Sequence, residues 1–531
     1  MDFSRSSLSN VLVVSGIVVL PLISWIGWTR SGSEKKDRRV YPPGPPQDPL
    51  IGNLRNFPKD KWGDTFCEWA RLYGDITWVQ MPGMNMAIIN SYDIAQELLS
   101  KRANINSGRK VGYMALHLMG NERNLSFIQP GATHQFMRKL LRRGIGPSRI
   151  ATHNHLIETS VASLMLTLKD LRGSPASALM NTMGSIVIPL TYGDEMWKTS
   201  GQEFLDWNAE SMTYINLAFS RFWMVDVFHF LRFVPSWFPG SEFKRIGQRN
   251  TYLINLIRTQ PYKRTLELYN AGKLGHCLAT DLLDEFGPSE EVQDTLAVLY
   301  QGMSIIVRSP YSDLVPLAGA ETTTNILVSF LHAMFLFPDI SRKVYAEILS
   351  VTGGQRPLTI QDRPNLPYTQ AVYKEALRWR PSAPVGLPHV STEDDTINGY
   401  FLPKGTLIGQ NFRFMLTDPK VYGDPENFRP ERFLPEHNPE AETLPDPGSI
   451  LFGFGMRVCP GMYLADRTGF HIAASTLSLF EVLPLEGQPA PKPDEVKYST
   501  SAFCLPLGFE CRFVPRDERA RNMINALSMN L

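Results

Sequence analysis

The stretch Phe452–Gly461, which reads FGFGMRVCPG, constrains what this chain can fold into more than any other segment. Its three glycines permit tight backbone turns that can wrap a bulky planar cofactor. Cys459 lies just before a predicted helix, and Pro460 suits the first turn of that helix. Because a helix amino terminus lowers the pKa of a thiol, we expect a thiolate here, the form that binds metal. Arg457 can reach an anionic group on such a cofactor. The alternative is a buried structural cysteine in a glycine-rich turn.

This stretch resembles the haem-binding signature of the cytochrome P-450 family, whose iron is held by a cysteine thiolate. The resemblance covers nearly the whole chain and is greatest to fungal microsomal members. It implies haem b as the cofactor, with Cys459 as the axial iron ligand. It also implies that Arg457 pairs with a haem propionate and that Phe452 packs beside the sulfur. The implied fold is mainly α with small β-sheets, in a single large catalytic domain.

Two further motifs follow the family's order. Glu375 and Arg378, in KEALRWRP, lie three residues apart on one helix face, a spacing that alone would fit a surface salt bridge. In the family this pair is joined by an arginine from a second motif, and the run FRPERF places Arg432 at that position. The resemblance therefore implies a structural network of Glu375, Arg378 and Arg432 that holds the segment leading to the cysteine.

The segment Ala318–Thr323, AGAETT, is similar to the family's oxygen-activating stretch. Its small residues let a helix approach the haem closely, and a paired acid and hydroxyl can relay protons to dioxygen. Threonines in an apolar helix more often only bond back to the carbonyl four residues earlier. Taken with the cysteine motif, Glu321 and Thr322 are the predicted catalytic residues for proton delivery.

Three more residues are predicted to contact the haem. The segment ending at Arg138 aligns with the family's W-x-x-x-R, with His134 in place of the tryptophan. A histidine can still donate a hydrogen bond to a propionate. His389, in LPHVSTEDD, matches a family position that also reaches a propionate, and an ordinary turn histidine is the alternative.

Residues 302–317 depart from the family pattern. Leu299–Gln301 is followed by sixteen residues before Ala318, and removing them restores the family-like LYQAGAETT. Pro310 and Pro316 would each destabilise a helix interior by about 3 kcal/mol or more. We interpret the segment as a retained intron, because sixteen codons keep the reading frame and Gly-Met-Ser can be encoded with a GTATGT donor site. A genuine loop inserted into the helix is the alternative.

The amino terminus contains an uncharged stretch of eighteen residues, Val11–Trp28. As a helix it would span roughly 27 Å, close to the ~30 Å of a bilayer's hydrocarbon core. A cleaved signal peptide is the alternative, but the leader has no net positive charge and no small-residue cleavage site follows. The basic residues that follow place that side in the cytosol. We therefore expect a single-pass anchor in the endoplasmic reticulum membrane and a cytosolic catalytic domain.

Four segments are predicted along the chain: an anchor (1–30), a basic and proline-rich hinge (31–46), a haem domain (47–515) and a tail (516–531). Long amphipathic helices fill the haem domain, with short strands near 76–90 and 396–408 and a hairpin at 499–513. With 53 basic and 52 acidic residues, the chain lacks the positive charge of a nucleic-acid-binding protein. Its five cysteines contain no C-x-x-C pair, which argues against a disulfide framework and a zinc site.

The activity implied by the resemblance is insertion of one oxygen atom from O₂ into a small hydrophobic substrate, in secondary metabolism or xenobiotic oxidation. Electrons would come from NADPH through NADPH-cytochrome reductase, with the membrane as a further partner. Two alternatives stay open. One is a haem-binding protein that is catalytically impaired by the 302–317 insert. The other is a haem-thiolate isomerase or dehydratase without a reductase, which the Glu321–Thr322 pair disfavours.

Overall fold

The structure is a computed structural model that describes residues 39–58, 61–220, 223–303, 322–490, 492–493, 495–499 and 504–530. The predicted anchor, most of the predicted hinge, Glu321 and nearly all of 302–317 lie outside these residues. The described residues are mainly helical. The α-helices are α1 (Trp62–Tyr73), α2 (Tyr92–Ala95), α3 (Ala103–Asn106), α4 (Ala132–Ile145), α5 (Asn154–Asp170), α6 (Ala176–Tyr192), α7 (Asp194–Ser220), α8 (Met224–Val227), α9 (Glu242–Asn270), α10 (Leu278–Phe286), α11 (Glu290–Met303), α12 (Thr322–Leu336), α13 (Pro338–Thr352), α14 (Pro367–Trp379), α15 (Phe412–Thr417), α16 (Pro419–Tyr422), α17 (Pro447–Leu451), α18 (Met462–Leu479) and α19 (Glu518–Asn530).

Three small sheets accompany the helices. The strands are β1 (Ile76–Met81), β2 (Met84–Ile89), β3 (Arg172–Gly173), β4 (His389–Val390), β5 (Asp395–Ile397), β6 (Tyr400–Leu402), β7 (Leu407–Gln410), β8 (Phe480–Leu483) and β9 (Cys511–Pro515). The sheet orders are β1-β2-β7-β4, β3-β9-β8 and β5-β6. β2 and β7 are parallel, with Met86 opposite Leu407, and the other pairs are antiparallel. The predicted combination of many helices with small sheets is confirmed.

Local sequence explains where the helices near the cysteine begin and end. The hydroxyl of Ser289 accepts the Val292 N–H at 3.2 Å and so caps α11, as its sequence predicts. α14 starts with Pro367 at its first turn, where a missing N–H does no harm. α18 begins at Met462, three residues after Cys459, and most of its length is buried. These helices build the frame around the cysteine segment.

Two apolar clusters hold this frame. The larger one joins α4, α5 and α6 to α12, α14 and α18. The second joins the β1-β2-β7 sheet to α15 and includes Phe454, from the segment before Cys459. The cysteine segment is therefore anchored in the second cluster, while the helix that follows it lies in the first.

The described part of the predicted hinge lies against the body of the domain. The carbonyls of Val40 and Pro43 accept N–H groups of Phe401 and Trp78, at 2.7 and 2.8 Å. A Cβ on Gly44 would lie 1.9 Å from the carbonyl oxygen of Trp78, so only glycine allows this close approach. The proline-rich segment is thus docked on the sheet in an extended conformation.

The carboxyl-terminal part differs from the sequence expectation. Residues 500–503 are outside the described residues, and β9 pairs with β8 instead of a neighbouring strand. The expected 499–513 hairpin is reduced there to one antiparallel bridge between Tyr498 and Pro506. Residues 516–531, predicted as a tail, contain α19, whose Ala520 and Ile524 are buried.

No single helix of the described residues is long and apolar enough to cross a bilayer. Thr323–Leu336 and Pro338–Thr352 reach the required length and composition only together, across a bend of 105°.

Candidate active site

The cysteine segment is held in one conformation by its own backbone. The N–H of Cys459 donates to the carbonyl of Phe452 at 2.7 Å, which closes the loop between them. Gly453 and Gly455 have φ values of 78° and 55°, a region that favours glycine. A Cβ on Gly455 would lie 1.9 Å from the carbonyl oxygen of Leu99. Gly461 has a φ of −86°, which any residue can adopt, so the backbone conformation at this position does not require glycine.

The electrostatic setting of Cys459 differs from the sequence expectation. Burial raises the pKa of its thiol above the ordinary value, while the Gly461 N–H and the charge of Arg138 oppose this effect. α18 begins at Met462, so Pro460 lies before its first turn instead of within it. A coordinated metal cation reverses this balance, because it deprotonates the thiol that binds it.

Arg457 is buried and has only carbonyl partners. Its guanidinium donates to Ser107 O at 2.9 Å, Leu125 O at 3.3 Å and Ile128 O at 2.7 Å. Burial, with the nearby charge of Arg138, lowers its pKa to about 10. This arginine therefore ties the 107–128 segment to the cysteine segment and leaves its charge unpaired by any carboxylate of the described residues.

Arg138 and His134, on α4, lie beside this arginine. Arg138 donates to the carbonyl of Val458 at 2.8 Å, and burial lowers its pKa. His134 is 2% exposed, and its Nδ1 has no hydrogen-bond partner among the described residues. Burial, together with Arg457 and Arg138, lowers the pKa of His134 to about 4. An unpartnered buried nitrogen here indicates a missing acceptor.

His389 completes the predicted haem contacts. Its Nδ1 is 2.9 Å from the carbonyl of Asn106, so it carries the proton and donates to that oxygen. Burial and the charge of Arg109 lower the pKa of His389 to about 3.

The structure adds Arg109 to this group, a residue that sequence reasoning missed. Arg109 donates to Ser126 O at 3.0 Å and to Leu387 O and Pro388 O at 2.7 Å. Burial, with the charge of Arg457, lowers its pKa to about 9. Its sequence context, SGRK, offered no spacing that could single it out. Only the fold brings it to Arg457 and His389.

We name Arg109, Arg138, Arg457, His134 and His389 the cationic cluster. Within the described part of the chain, none of its three arginines forms an ion pair with a carboxylate. Each lowers the pKa of at least one other member, because like charges repel in a buried setting. The cluster, next to a cysteine sulfur, therefore fits a planar cofactor that carries two carboxylates and binds metal through a thiolate. Haem has this chemistry.

The predicted structural network is assembled around the carboxylate of Glu375. Glu375 and Arg378 are 0% exposed, and Arg378 donates to both carboxylate oxygens at 2.8 and 2.9 Å. Arg432 Nε lies 3.0 Å from Glu375 Oε2, and its Nη atoms donate to the carbonyls of Tyr422 and Asp424. The structure thus brings the three predicted side chains together.

The side chains of the two predicted catalytic residues lie outside what the structure describes. Glu321 lies outside the described residues, and Thr322 is the first residue of α12, with nothing described of its side chain. For Phe452, the described contact with Cys459 is the backbone hydrogen bond, not a contact of its ring. Phe454 is the buried aromatic residue of this motif, and the alternation Phe-Gly-Phe could have indicated it.

Comparison with known proteins shows the family of this chain. The cytochrome P-450 family model matches residues 42–507. The chain is 33% identical to cytochrome P-450 monooxygenase COX2 of Coprinopsis cinerea, over 99% of this chain and 97% of that protein. It is 32% identical to cytochrome P-450 monooxygenase 208 of Postia placenta, over 92% of this chain and 93% of the relative.

The fold is also similar to solved structures. A zebrafish cytochrome P-450 determined with progesterone superposes with a TM-score of 0.67 at 21% identity, over 86% of this chain and 99% of that one. The helical frame, the cysteine segment and the family match over most of the chain lead to one conclusion. This chain belongs to the cytochrome P-450 family and is a cytochrome P-450 monooxygenase.

Proposed function

We propose that this monooxygenase inserts one oxygen atom from O₂ into a small hydrophobic organic molecule, with haem b held by Cys459 and the cationic cluster. When bound, the haem supplies the activation of dioxygen, and its thiolate ligand favours O–O cleavage. The observation that carries the proposal is the juxtaposition of Cys459 with three arginines that lack carboxylate partners among the described residues. Two propionates would supply the missing negative charge.

Each residue has a stated role in this proposal. Cys459 holds the iron, and the carbonyl of Phe452 orients the backbone of that cysteine. Arg457, Arg138 and Arg109 bind propionate oxygens, and the free Nδ1 of His134 contributes a further hydrogen bond. Glu321 and Thr322 deliver protons to the oxygen side of the haem, as the family resemblance implies.

The 104–127 segment, which we propose as part of the substrate pocket lining, is largely apolar and supports a hydrophobic substrate. In the 104–127 segment, Met114, Ala115 and Met119 pack in one buried cluster with Ala218. Phe127 faces Phe219, with ring centroids 5.9 Å apart. A polyketide, a terpenoid or another lipophile would match such a lining, in secondary metabolism or in xenobiotic oxidation.

The proposed electron source is NADPH-cytochrome reductase, with both proteins at the endoplasmic reticulum membrane. The Val11–Trp28 stretch supports the anchor by its length and lack of charge. A basic edge on α4, formed by Lys139, Arg142 and Arg143, would face an acidic donor. Arg143 already pairs with Glu285 at 2.6 Å, so Lys139 and Arg142 are the stronger candidates for that contact.

We also propose that residues 302–317 are absent from the working enzyme. α11 ends at Met303 and α12 begins at Thr322, and both pack on α6. Deleting the sixteen residues would join the two halves through LYQAGAETT. In the alternative, residues 302–317 remain in the protein, which then binds haem but has no catalytic turnover.

Three measurements test these proposals. A carbon-monoxide difference spectrum of the reduced protein reports thiolate ligation, and Cys459→Ser should abolish it whereas Cys277→Ser should not. Reductase-dependent oxidation of a broad hydrophobic panel, with and without residues 302–317, should appear or rise strongly on deletion. Equal inactivity of both forms would contradict the enzyme proposal. Sequencing of cDNA decides the intron, since messages that mostly encode all sixteen residues would exclude it.

A further inference from the structure

The segment 107–128 forms an arch that begins and ends beside the cationic cluster. Arg457 donates to Ser107 O at one end of this arch and to Leu125 O and Ile128 O at the other end. The residues between these ends leave the cluster and return to it, so the arch borders the space next to the proposed haem. Whatever holds the middle of the arch therefore affects which molecules fit into that space.

The middle of the arch is a single π-helical turn, Met114–Leu118. The Met119 N–H donates at 3.1 Å to Met114 O, five residues earlier, so this turn is wider than a turn of an α-helix. One isolated turn leaves its first N–H groups and its last carbonyls without partners inside the turn. It is also unstable alone, because ordering its residues costs more than its few hydrogen bonds return. The conformation of this turn therefore depends on the side chains that bind its two ends.

An acidic side chain of α8 binds the amino end of the turn. Asp226 Oδ1 accepts the Met114 N–H at 2.7 Å, and the Tyr113 N–H also donates to this carboxylate. Gly112 makes the approach possible, since a Cβ there would lie 2.5 Å from Asp226 Oδ2. The Tyr113 hydroxyl accepts a further hydrogen bond from Arg232 at 3.0 Å. α8 and the residues after it therefore hold this end by both backbone and side chain.

Two donors of α9 bind the carboxyl end of the turn. Thr251 Oγ1 donates to Leu118 O and Asn250 Nδ2 donates to Met119 O, both at 3.0 Å. Gly247 lets α9 approach, because a Cβ there would lie 2.6 Å from Leu118 O. A carboxylate at the N–H end and donors at the carbonyl end both match the direction of the turn's dipole. We name three residues the turn clamp: Asp226, Asn250 and Thr251.

Apolar packing alone does not fix this turn. Its buried side chains pack against Val225 of α8 and against Phe243 and Ile246 of α9, and such contacts have no preferred direction. Without the clamp, the turn can close its hydrogen bonds four residues back, as in an α-helix, which rotates every later side chain. The hydrogen bonds of the clamp are directional and so select one arrangement of the turn.

We propose that the turn clamp fixes the shape of the substrate pocket beside the haem, with Asp226 as the main positioning residue for substrate selection. This inference rests on the proposed function, in which the 104–127 segment lines that pocket. None of the three clamp residues belongs to the cationic cluster. Their loss should therefore change the fit of a hydrophobic molecule and leave the binding of the haem itself unchanged.

The test uses the haem-loaded protein and two haem ligands, imidazole and 1-octylimidazole, whose binding shifts the haem absorption spectrum. The ratio of their dissociation constants measures what the octyl chain gains from the pocket wall. Asp226→Ala should lower this gain about tenfold, because a displaced wall loses contact with about two methylene groups, and it should leave imidazole binding unchanged. Asp226→Asn, which keeps one acceptor oxygen, should lie between Asp226→Ala and the wild type. Thr251→Val, which keeps the shape of the side chain but removes its donor, should also lower the gain.

Asp418→Ala is the matched control. Asp418 also accepts a backbone N–H at the start of a helix, that of Lys420 at 2.9 Å, but it lies outside the arch and outside α7–α9. It should leave the gain from the octyl chain unchanged. The inference is overturned if Asp226→Ala keeps the wild-type gain, if Asp418→Ala lowers it as much, or if the wild type binds both ligands equally. A wild type without a carbon-monoxide difference spectrum would instead contradict the proposed haem site, on which this inference rests.

Discussion

Replacing Glu375 with glutamine should destabilise the protein more than any other single charge change outside the cationic cluster. Glu375 receives four donors: two from Arg378, one from Arg432 and the backbone N–H of Arg429 at 2.8 Å. The amide of a glutamine keeps the shape of the side chain but not its charge. Two guanidinium groups would then remain buried side by side without a carboxylate between them.

The magnitude follows from burial. At an effective dielectric constant of about 20, each ion pair at about 4 Å contributes roughly 4 kcal/mol of attraction. Relaxation and the remaining carbonyl partners offset part of this loss, and breaking a buried pair typically destabilises by about 3–5 kcal/mol. Folded proteins are stable by only about 5–15 kcal/mol, so Glu375→Gln removes a large share of that.

Urea unfolding, followed by tryptophan fluorescence, measures the effect. With a slope of about 3 kcal/mol per molar, the expected shift of the midpoint is about 1–1.7 M. Glu518→Gln is the matched control, because Glu518 and Arg521 have the same three-residue spacing and a 2.7 Å contact but are exposed. That control should change stability by less than about 1 kcal/mol. Arg432→Met, which leaves the other ion pair intact, should fall between the two. Equal midpoints for Glu375→Gln and Glu518→Gln would refute the argument from burial.

Three further predictions concern the haem site and the buried histidines. Gly455→Ala should destabilise the folded protein by about 3 kcal/mol or more, because the new Cβ adds left-handed backbone strain and overlaps the backbone of Leu99. Gly487→Ala is the control, since Gly487 has a φ of 78° but open space around it, and it should lose only about 1–2 kcal/mol in the same urea assay. Arg109→Met should lower haem affinity about 10–100-fold, because it removes a charged hydrogen-bond donor, and a haem titration of haem-depleted protein measures this change. Arg55 is exposed, so the control Arg55→Met should leave haem affinity unchanged. Burial lowers the pKa of His332 from 6.5 to about 4, so between these values only the unfolded chain takes up its proton and stability falls as the pH falls. His332→Phe should therefore remove about 1.4 kcal/mol per pH unit from the slope of unfolding free energy below pH 6.5, and an unchanged slope would contradict this.

The sequence was most informative where local chemistry decides the structure. The sequence predicts α14 as an amphipathic helix that is ended by Pro381, and it predicts α11 from its serine cap. The assembly of Glu375 with Arg378 and Arg432 could be expected only because three spaced motifs occur together, since a lone pair of this spacing is usually exposed.

Long-range contacts could not be predicted from local sequence patterns. Phe480–Leu483 follows directly after α18, and it forms a strand because Cys511–Pro515 pairs with it. Arg109 is one of many basic residues in the chain, and its position beside Arg457 depends on the path of the whole 107–128 segment. The thiol of Cys459 was expected to have a lowered pKa from the helix that follows it, but burial outweighs that influence. Strand pairing and desolvation depend on residues that are distant in the sequence, so no local sequence pattern predicts them.

The cationic cluster couples cofactor binding to the stability of the fold. Its arginines are satisfied as hydrogen-bond donors by carbonyl oxygens, such as those of Ser107 and Leu387, but a carbonyl carries no net charge to balance a guanidinium. Burial, and then the charge of Arg457, lowers the pKa of Arg109 to about 9, and burial, and then the charge of Arg138, lowers the pKa of Arg457 to about 10. A dianionic cofactor relieves the repulsion only in the folded state, where the arginines are held together, so its binding stabilises that state in proportion to its affinity. In the proposed site, the residues that would hold the haem would therefore also make the folded domain depend on it.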